Sequence, residues 1–383
     1  MTGPEHCSQK VALHFAIALS ITTAILSSQP CGAQRNQSSD RFEASQAEVE
    51  LQTAIDLTRK GQFREAISHF LAAQGRVRDE YAANFNLALC YVGIREYKQA
   101  SEILTALRSG SHDTAEVENL LAQSYIGEGR LDEALTAVQR SSHMTPRNEK
   151  LYLFAADACM EGGYHELGLK IVELGLKSLP RSARLIFERG ILLSEMDQFD
   201  VARTDFQRTR ELVPGTDIAY IAGAQQALYE GNVAEAARIS REGIEKGNVH
   251  FLLLTIFGEA VLSAGAVPGQ ADFAEAQEAL ERVVGSHPNF ASAQVALGKL
   301  YLQANRIDDA IARLEAARVL DVHNPAVYAN LAAAYRRRGD NEKAEQALST
   351  LAKLNQGQAE KIGSAPGERK AGYATRIPRP NPP

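Results

Sequence analysis

The chain has 383 residues, 45% hydrophobic, 7% aromatic and 23% charged. This ordinary globular composition excludes a wholly disordered chain, a collagen and a multi-span membrane protein. Lys and Arg number 41 against 47 Asp and Glu, a formal net charge of −6, which keeps a protein soluble and gives no reason to expect a nucleic-acid partner.

The first predicted element lies outside the fold. Lys10 precedes an apolar run over residues 11–26, interrupted only by His14, Ser20, Thr22 and Thr23. At 1.5 Å per residue such a helix is about 24 Å long, short for a membrane span. Small residues at Cys31 and Ala33 fit a cleavage site that leaves Gln34 at the mature N-terminus. Residues 1–33 are therefore read as a signal peptide, and the protein as exported, periplasmic or extracellular. The alternative is an uncleaved N-terminal anchor, which would be the sole membrane contact. Ser28 and Pro30 depart from the bacterial pattern for lipid attachment at Cys31.

Residues 34–46 are polar and read as a disordered lead-in, with Asn36-Gln37-Ser38 matching a glycosylation acceptor. Past it, a repeat begins. Ala66, Ala100, Ala134, Gly168, Ala202, Ala236, Ala276, Ala310 and Ala344 recur every 34 residues, except for an interval of 40 before Ala276. A second small residue precedes each, at Ala54, Ala88, Ala122, Ala156, Gly190, Ala224, Gly258, Gly298 and Ala332. Two antiparallel helices per unit explain both, because a bulky side chain at the closest approach of two axes forces them apart. Between the two small residues stand Gly61, Gly129, Gly163, Gly231, Gly265 and Gly339, suited to the left-handed residue that ends a helix. Pro146, Pro180, Pro214 and Pro288 close their units, and Pro325 is read as closing the eighth three places late.

Large residues complete one apolar stripe per helix. Leu57, Tyr91, Tyr125, Leu193, Val261, Tyr301 and Tyr335 lie three places after the first small residue. Phe70, Leu104, Val138, Val172, Phe206, Leu280, Leu314 and Leu348 lie four after the second. The tyrosines are assigned to the core. The sixth unit is the weakest, with Ala227 and Ser240 where large apolar residues belong. The six extra residues of the seventh unit fall around Pro268-Gly269, a turn-rich loop between its helices. Cys90 and Cys159 fall two units apart, beyond disulfide reach, and are read as small buried hydrophobes.

A 34-residue helix–turn–helix unit with small residues at these places resembles the tetratricopeptide repeat. The leading Trp of that pattern is replaced throughout, by Glu50, Asn84, Glu118, Tyr152, Ile186, Tyr220, Leu254, Gln294 and Tyr328. The resemblance covers nine units over 47–358: 47–80, 81–114, 115–148, 149–182, 183–216, 217–250, 251–290, 291–324 and 325–358. It implies an all-α fold, a right-handed superhelical α-solenoid whose first helices line a concave face. Leu351 and Leu354 end the last unit and are expected to be partly exposed. Residues 359–383 are basic and Pro-rich and read as a disordered tail.

Catalytic signatures are sparse. His165-Glu166 begins a zinc-protease pattern, but residue 169 is Leu rather than His. No phosphate-binding Gly-Lys-Ser/Thr loop and no Gly-x-Ser-x-Gly elbow occurs. No catalytic residue, cofactor or metal is assigned, and no small-molecule substrate is expected. In the resembled family the inward positions are the second, fifth, ninth, twelfth and thirteenth of each unit. They make the N-terminal end of the groove apolar, with Leu51, Ile55, Phe85 and Leu89. Asn86 is the one match to the family's clamp for C-terminal carboxylates, whose other faces here offer Glu116 and Leu120. Asp157, Glu161, Glu195 and Glu259 make the middle acidic, with Phe187 and Ile191 among them. Ile218, Ile221, Leu228 and Tyr229 follow, and Lys299, Arg336 and Arg337 make the far end basic.

Such a groove suits a protein or peptide partner, with apolar anchors for affinity and charge for orientation. The reading is a non-catalytic exported scaffold. Its alternatives are an accessory subunit or enzyme with a site built across repeats, marked by Asp157, Glu161 and Glu195 converging with shifted pKa values, and a self-assembling structural protein.

Overall fold

The computed structural model describes residues 37–363, Ser111 excepted, and side chains from 45 to 356. The predicted signal over 1–33, Cys7, Cys31, Asn36 and the tail beyond 363 lie outside the described residues. Among these, regular structure is entirely helical.

Among the described residues, eighteen helices alternate in the predicted pairs. The first three pairs are α1 (Gln37–Arg59) with α2 (Phe63–Ala73), α3 (Glu80–Gly93) with α4 (Tyr97–Ser109), and α5 (Ala115–Glu128) with α6 (Leu131–Met144). Then come α7 (Glu149–Gly162) with α8 (His165–Ser178), α9 (Ala183–Glu195) with α10 (Phe199–Leu212), and α11 (Asp217–Tyr229) with α12 (Val233–Glu245). The last are α13 (Phe251–Ser263) with α14 (Ala271–Ser286), α15 (Ala291–Gln303) with α16 (Ile307–Leu320), and α17 (Pro325–Arg338) with α18 (Asn341–Gly363).

The chain divides into two compact bodies, one ending at Ile256 and the other starting at Phe257. Within the first body, each second helix from α2 through α10 packs on the first helix of the next unit, and first helices touch one another from α1 through α11. In the second, α14 packs on α15, α16 on α17, and α15 on α17. The architecture is an all-α helical repeat solenoid.

The small positions do what the helix-pair argument requires. Ala54, Ala66, Ala88, Ala100, Ala122 and Ala134 are fully buried. Where the residue is Gly, a large side chain of the partner helix fills the space. A Cβ on Gly190 would lie 2.8 Å from the Phe206 ring, one on Gly258 2.6 Å from Leu280, and one on Gly298 2.7 Å from Leu314. The turns follow one geometry. All six predicted turn glycines have positive φ, and the units lacking Gly place Arg95 (φ 66°), Asp197 (φ 60°) and Asn305 (φ 58°) at the same point. The following N–H reaches back to the helix, as from Gln62 to the Leu57 carbonyl (2.9 Å) and Glu96 to that of Tyr91 (2.9 Å). That bond satisfies an orphaned carbonyl and fixes the left-handed residue.

Tyr125, Tyr301 and Tyr335 are core residues, as expected. The Tyr301 hydroxyl donates to Glu281 (2.8 Å) and that of Tyr335 to Glu315 (2.6 Å). Cys90 and Cys159 are buried and free. Burial pushes their thiols up to about 11 and about 12, which leaves them protonated and inert. Leu351 and Leu354 are half-buried.

Several boundaries differ from expectation. The lead-in is helical from Gln37, because its polar residues extend the amphipathic α1 rather than stand alone. At the other end, α18 continues five residues beyond 358 to Gly363. Pro325 does not close the eighth unit; it opens α17 at the first turn, behind the Asn324 cap, where a missing N–H costs nothing. The insertion falls between α13 and α14, with residues 264–270 linking them where 60–62 suffice in the first unit. Ser240 is fully buried, and its hydroxyl has no hydrogen-bond partner.

Candidate binding face of the first helices

The predicted groove residues separate into three stretches. At the N-terminal end, Leu51 and Asn86 are core rather than surface. Leu51 belongs to the cluster with Phe70 and Leu87, and the buried Asn86 amide donates to the Ala82 carbonyl (2.8 Å). Both face the packed seam between neighbouring helices, so neither is open to a partner. Ile55, Phe85 and Leu89 are half-buried, and Phe85 stacks on Tyr81 with centroids 5.9 Å apart.

The middle stretch converges. Asp157 and Glu161 on α7, Glu195 on α9 and Tyr229 on α11 are brought into one group. The Tyr229 hydroxyl donates to Glu195 (3.2 Å), and Arg95 donates to Glu161 (3.4 Å). Burial and the Glu195 carboxylate both push the Tyr229 phenol up. Its ring stacks on Phe206 at 6.1 Å, and Phe187 meets Phe206 at 5.8 Å. Phe187 and Ile191 are buried beneath this group.

Sequence reasoning missed the member at the centre, Glu188. It is 3% exposed. Burial pushes its pKa up to about 7. Asp157 is raised well above the carboxylate range, first by burial and then by the charges of Glu188 and Glu161. An acid raised by burial and by neighbouring carboxylates keeps its proton to higher pH than an isolated carboxyl. One signal was available: in Leu185-Ile186-Phe187-Glu188 a carboxylate ends a run of large buried apolar residues.

Beside this group lies a cavity of about 470 Å³ at the N-terminal ends of α7, α9, α11 and α13. Leu153, Phe187, Val213, Ile218, Ile221 and Leu252 give it apolar walls. Glu188 and Asp217 also line it, and Asp217 Oδ1 is buried without a partner. Arg181 and Arg184 stand exposed in its lining, with Arg184 3.9 Å from Glu149.

In the second body, burial pushes Glu259 up to about 7 against the opposing charge of Lys299. Arg336 and Arg337 are exposed, and Arg337 donates to the Leu302 carbonyl (2.6 Å). Among the described residues no His, Cys, Asp and Glu group is placed to hold a metal ion, and no helix is long and apolar enough to cross a membrane.

Comparison with known proteins agrees with this geometry. Tetratricopeptide repeat models match residues 57–124, 269–321 and 325–358. No curated protein matches the sequence. Among solved structures, the chain is similar to a monomeric mutant of IFIT1 with m7Gppp-AAAA, at 13% identity and a TM-score of 0.50, covering 86% of each chain. It is also similar to the APC/C hetero-tetramer Cut9-Hcn1, at 14% identity and a TM-score of 0.49, covering 84% of this chain and 77% of that one. A third similarity is to a tetratricopeptide repeat protein from Parabacteroides merdae, at 19% identity and a TM-score of 0.47, covering 66% and 98%. At 13% identity the likeness to the IFIT1 mutant is one of fold alone. With the 34-residue unit, the helix pairs and the matched models in agreement, the chain carries tetratricopeptide repeats over these matched segments.

Proposed function

We propose that this protein is a non-catalytic, exported scaffold that binds a protein or peptide along the face of its first helices. Tetratricopeptide arrays serve generally as protein-interaction scaffolds, because stacked units offer an extended surface that no single unit could hold. The observation that carries the reading is the cavity at α7, α9 and α11 with the acidic group beside it. An apolar hollow flanked by charge gives both affinity and orientation.

The test is capture of partners by the full chain from extracytoplasmic extract, beside a variant combining Phe85→Ala, Leu89→Ala and Asp157→Asn. These side chains are half-buried, so the variant keeps its helices by circular dichroism. A partner held by the wild type and weakened at least about tenfold in the variant, about 1.4 kcal/mol, supports the reading; equal capture moves binding to another face. For export, N-terminal sequencing of the protein recovered outside the cytoplasm is expected to begin at Gln34, and a start at Met1 favours an uncleaved anchor.

A second reading, an enzyme with a site across repeats, draws on the raised Asp157 and Glu188. It requires that a substrate be turned over by the wild type and not by Glu188→Gln.

A further inference from the structure

The cavity and the buried carboxyl group narrow the chemistry of the partner. Leu153 and Phe187 stand in the apolar wall. Asp157 lies one turn along α7 from Leu153, about 6 Å. Glu188 lies between the two features, lining the cavity and interacting electrostatically with Asp157. An acid that is 3% exposed is costly to ionise without a compensating charge. Asp217 Oδ1, in the same lining, is an acceptor without a donor. Glu161 and Glu195 add negative potential on the same side, while the arginines stand exposed. The cavity therefore asks for an apolar group with N–H donors and positive charge directed inward.

We propose that this cavity takes a bulky apolar side chain of a partner peptide whose adjacent Lys or Arg sits against Glu188 and Asp157. The proposal rests on the scaffold reading above and names its partner's chemistry. A peptide meets both demands: its side chain fills the apolar wall, its backbone N–H reaches Asp217, and the next residue, with its Cα about 3.8 Å along the chain, carries the cation on a long flexible stem that can turn toward the acids. A neutral apolar ligand leaves the buried acids unanswered, and an acidic one meets repulsion from the whole group.

The test uses the full chain and blocked hexapeptides with a central Phe-Lys, Phe-norleucine or Phe-Glu pair, together with phenethylamine as a free apolar amine. Binding is read by titration calorimetry at pH 7 in two buffers of different ionisation enthalpy. The Phe-Lys peptide is expected to bind at least about tenfold more tightly than the norleucine peptide, with proton release that the norleucine peptide does not show. Glu188→Gln is expected to erase that preference and the proton release while leaving norleucine-peptide binding in place. Asp157→Asn, at a less buried position, is the second variant should Glu188→Gln lose its fold. Equal affinity for Lys and norleucine, no binding of either, or an unchanged preference in both variants overturns the proposal. Phenethylamine binding as tightly as the peptide overturns the peptide assignment in favour of a small amine. Each of these failures leaves the scaffold reading standing if partner capture still depends on Phe85, Leu89 and Asp157.

Discussion

At the scale of single residues, Ser240 stands where eight of the nine units carry a large apolar side chain. Its hydroxyl is buried with no partner, and a buried unsatisfied group costs about 1–3 kcal/mol. Ser240→Ala removes that cost and adds a better helix former. The variant is expected to unfold at higher urea by about 1–2 kcal/mol; an unchanged midpoint would mean that water already satisfies the hydroxyl. Glu188 makes the opposite kind of demand. Its pKa is about 7 in the fold against an ordinary 4.5, so between these values the folded state binds more protons than the unfolded one. Stability from this group is therefore full below about pH 4.5 and lost as pH rises through about 7. Glu188→Gln is expected to match the wild type near pH 4.5 and exceed it at pH 8, by on the order of 3 kcal/mol. Parallel pH profiles for the two proteins would contradict the assignment.

At the scale of elements, the helix pair α9–α10 shows why the small positions are small. A Cβ on Gly190 would meet Phe206 at 2.8 Å, and Phe206 is itself stacked on Tyr229 and in contact with Phe187. A rigid ring held on two sides cannot yield as a terminal methyl can. Gly190→Leu is expected to destabilise the protein by about 2–3 kcal/mol, despite the better helix propensity of Leu, as measured by urea denaturation. The turns tell a complementary story. Arg95, Asp197 and Asn305 adopt the conformation that Gly holds elsewhere, so the array imposes the turn even where the residue disfavours it.

At the scale of the molecule, a repeat array couples each unit mainly to its neighbours. Gly190→Leu should therefore act locally, with amide protection lost first in α9 through α12 and retained in α1 through α4 by hydrogen exchange. Uniform loss over the first body would show cooperativity beyond nearest neighbours. The binding reading follows the same logic: the cavity takes walls from α7, α9, α11 and the start of α13, so it exists only where successive units are stacked.

The sequence by itself determined the nine helix pairs, their turns and their core. Period, small residues and large apolar residues are local packing requirements, written at fixed spacing as in Ala54, Ala66 and Phe70. It also selected Asp157, Glu161, Glu195 and Tyr229 for one face, because the family's inward positions recur every unit. Only the tertiary structure decided which of these side chains are open. Leu51 sits at an inward position yet is buried, since Phe70 and Leu87 pack over it. Glu188 sits outside those positions yet holds the centre of the acidic group, since burial and pairing depend on the unit stacked alongside. A spacing rule records which way a side chain points from its own helix; what it meets there is set by residues 34 places away.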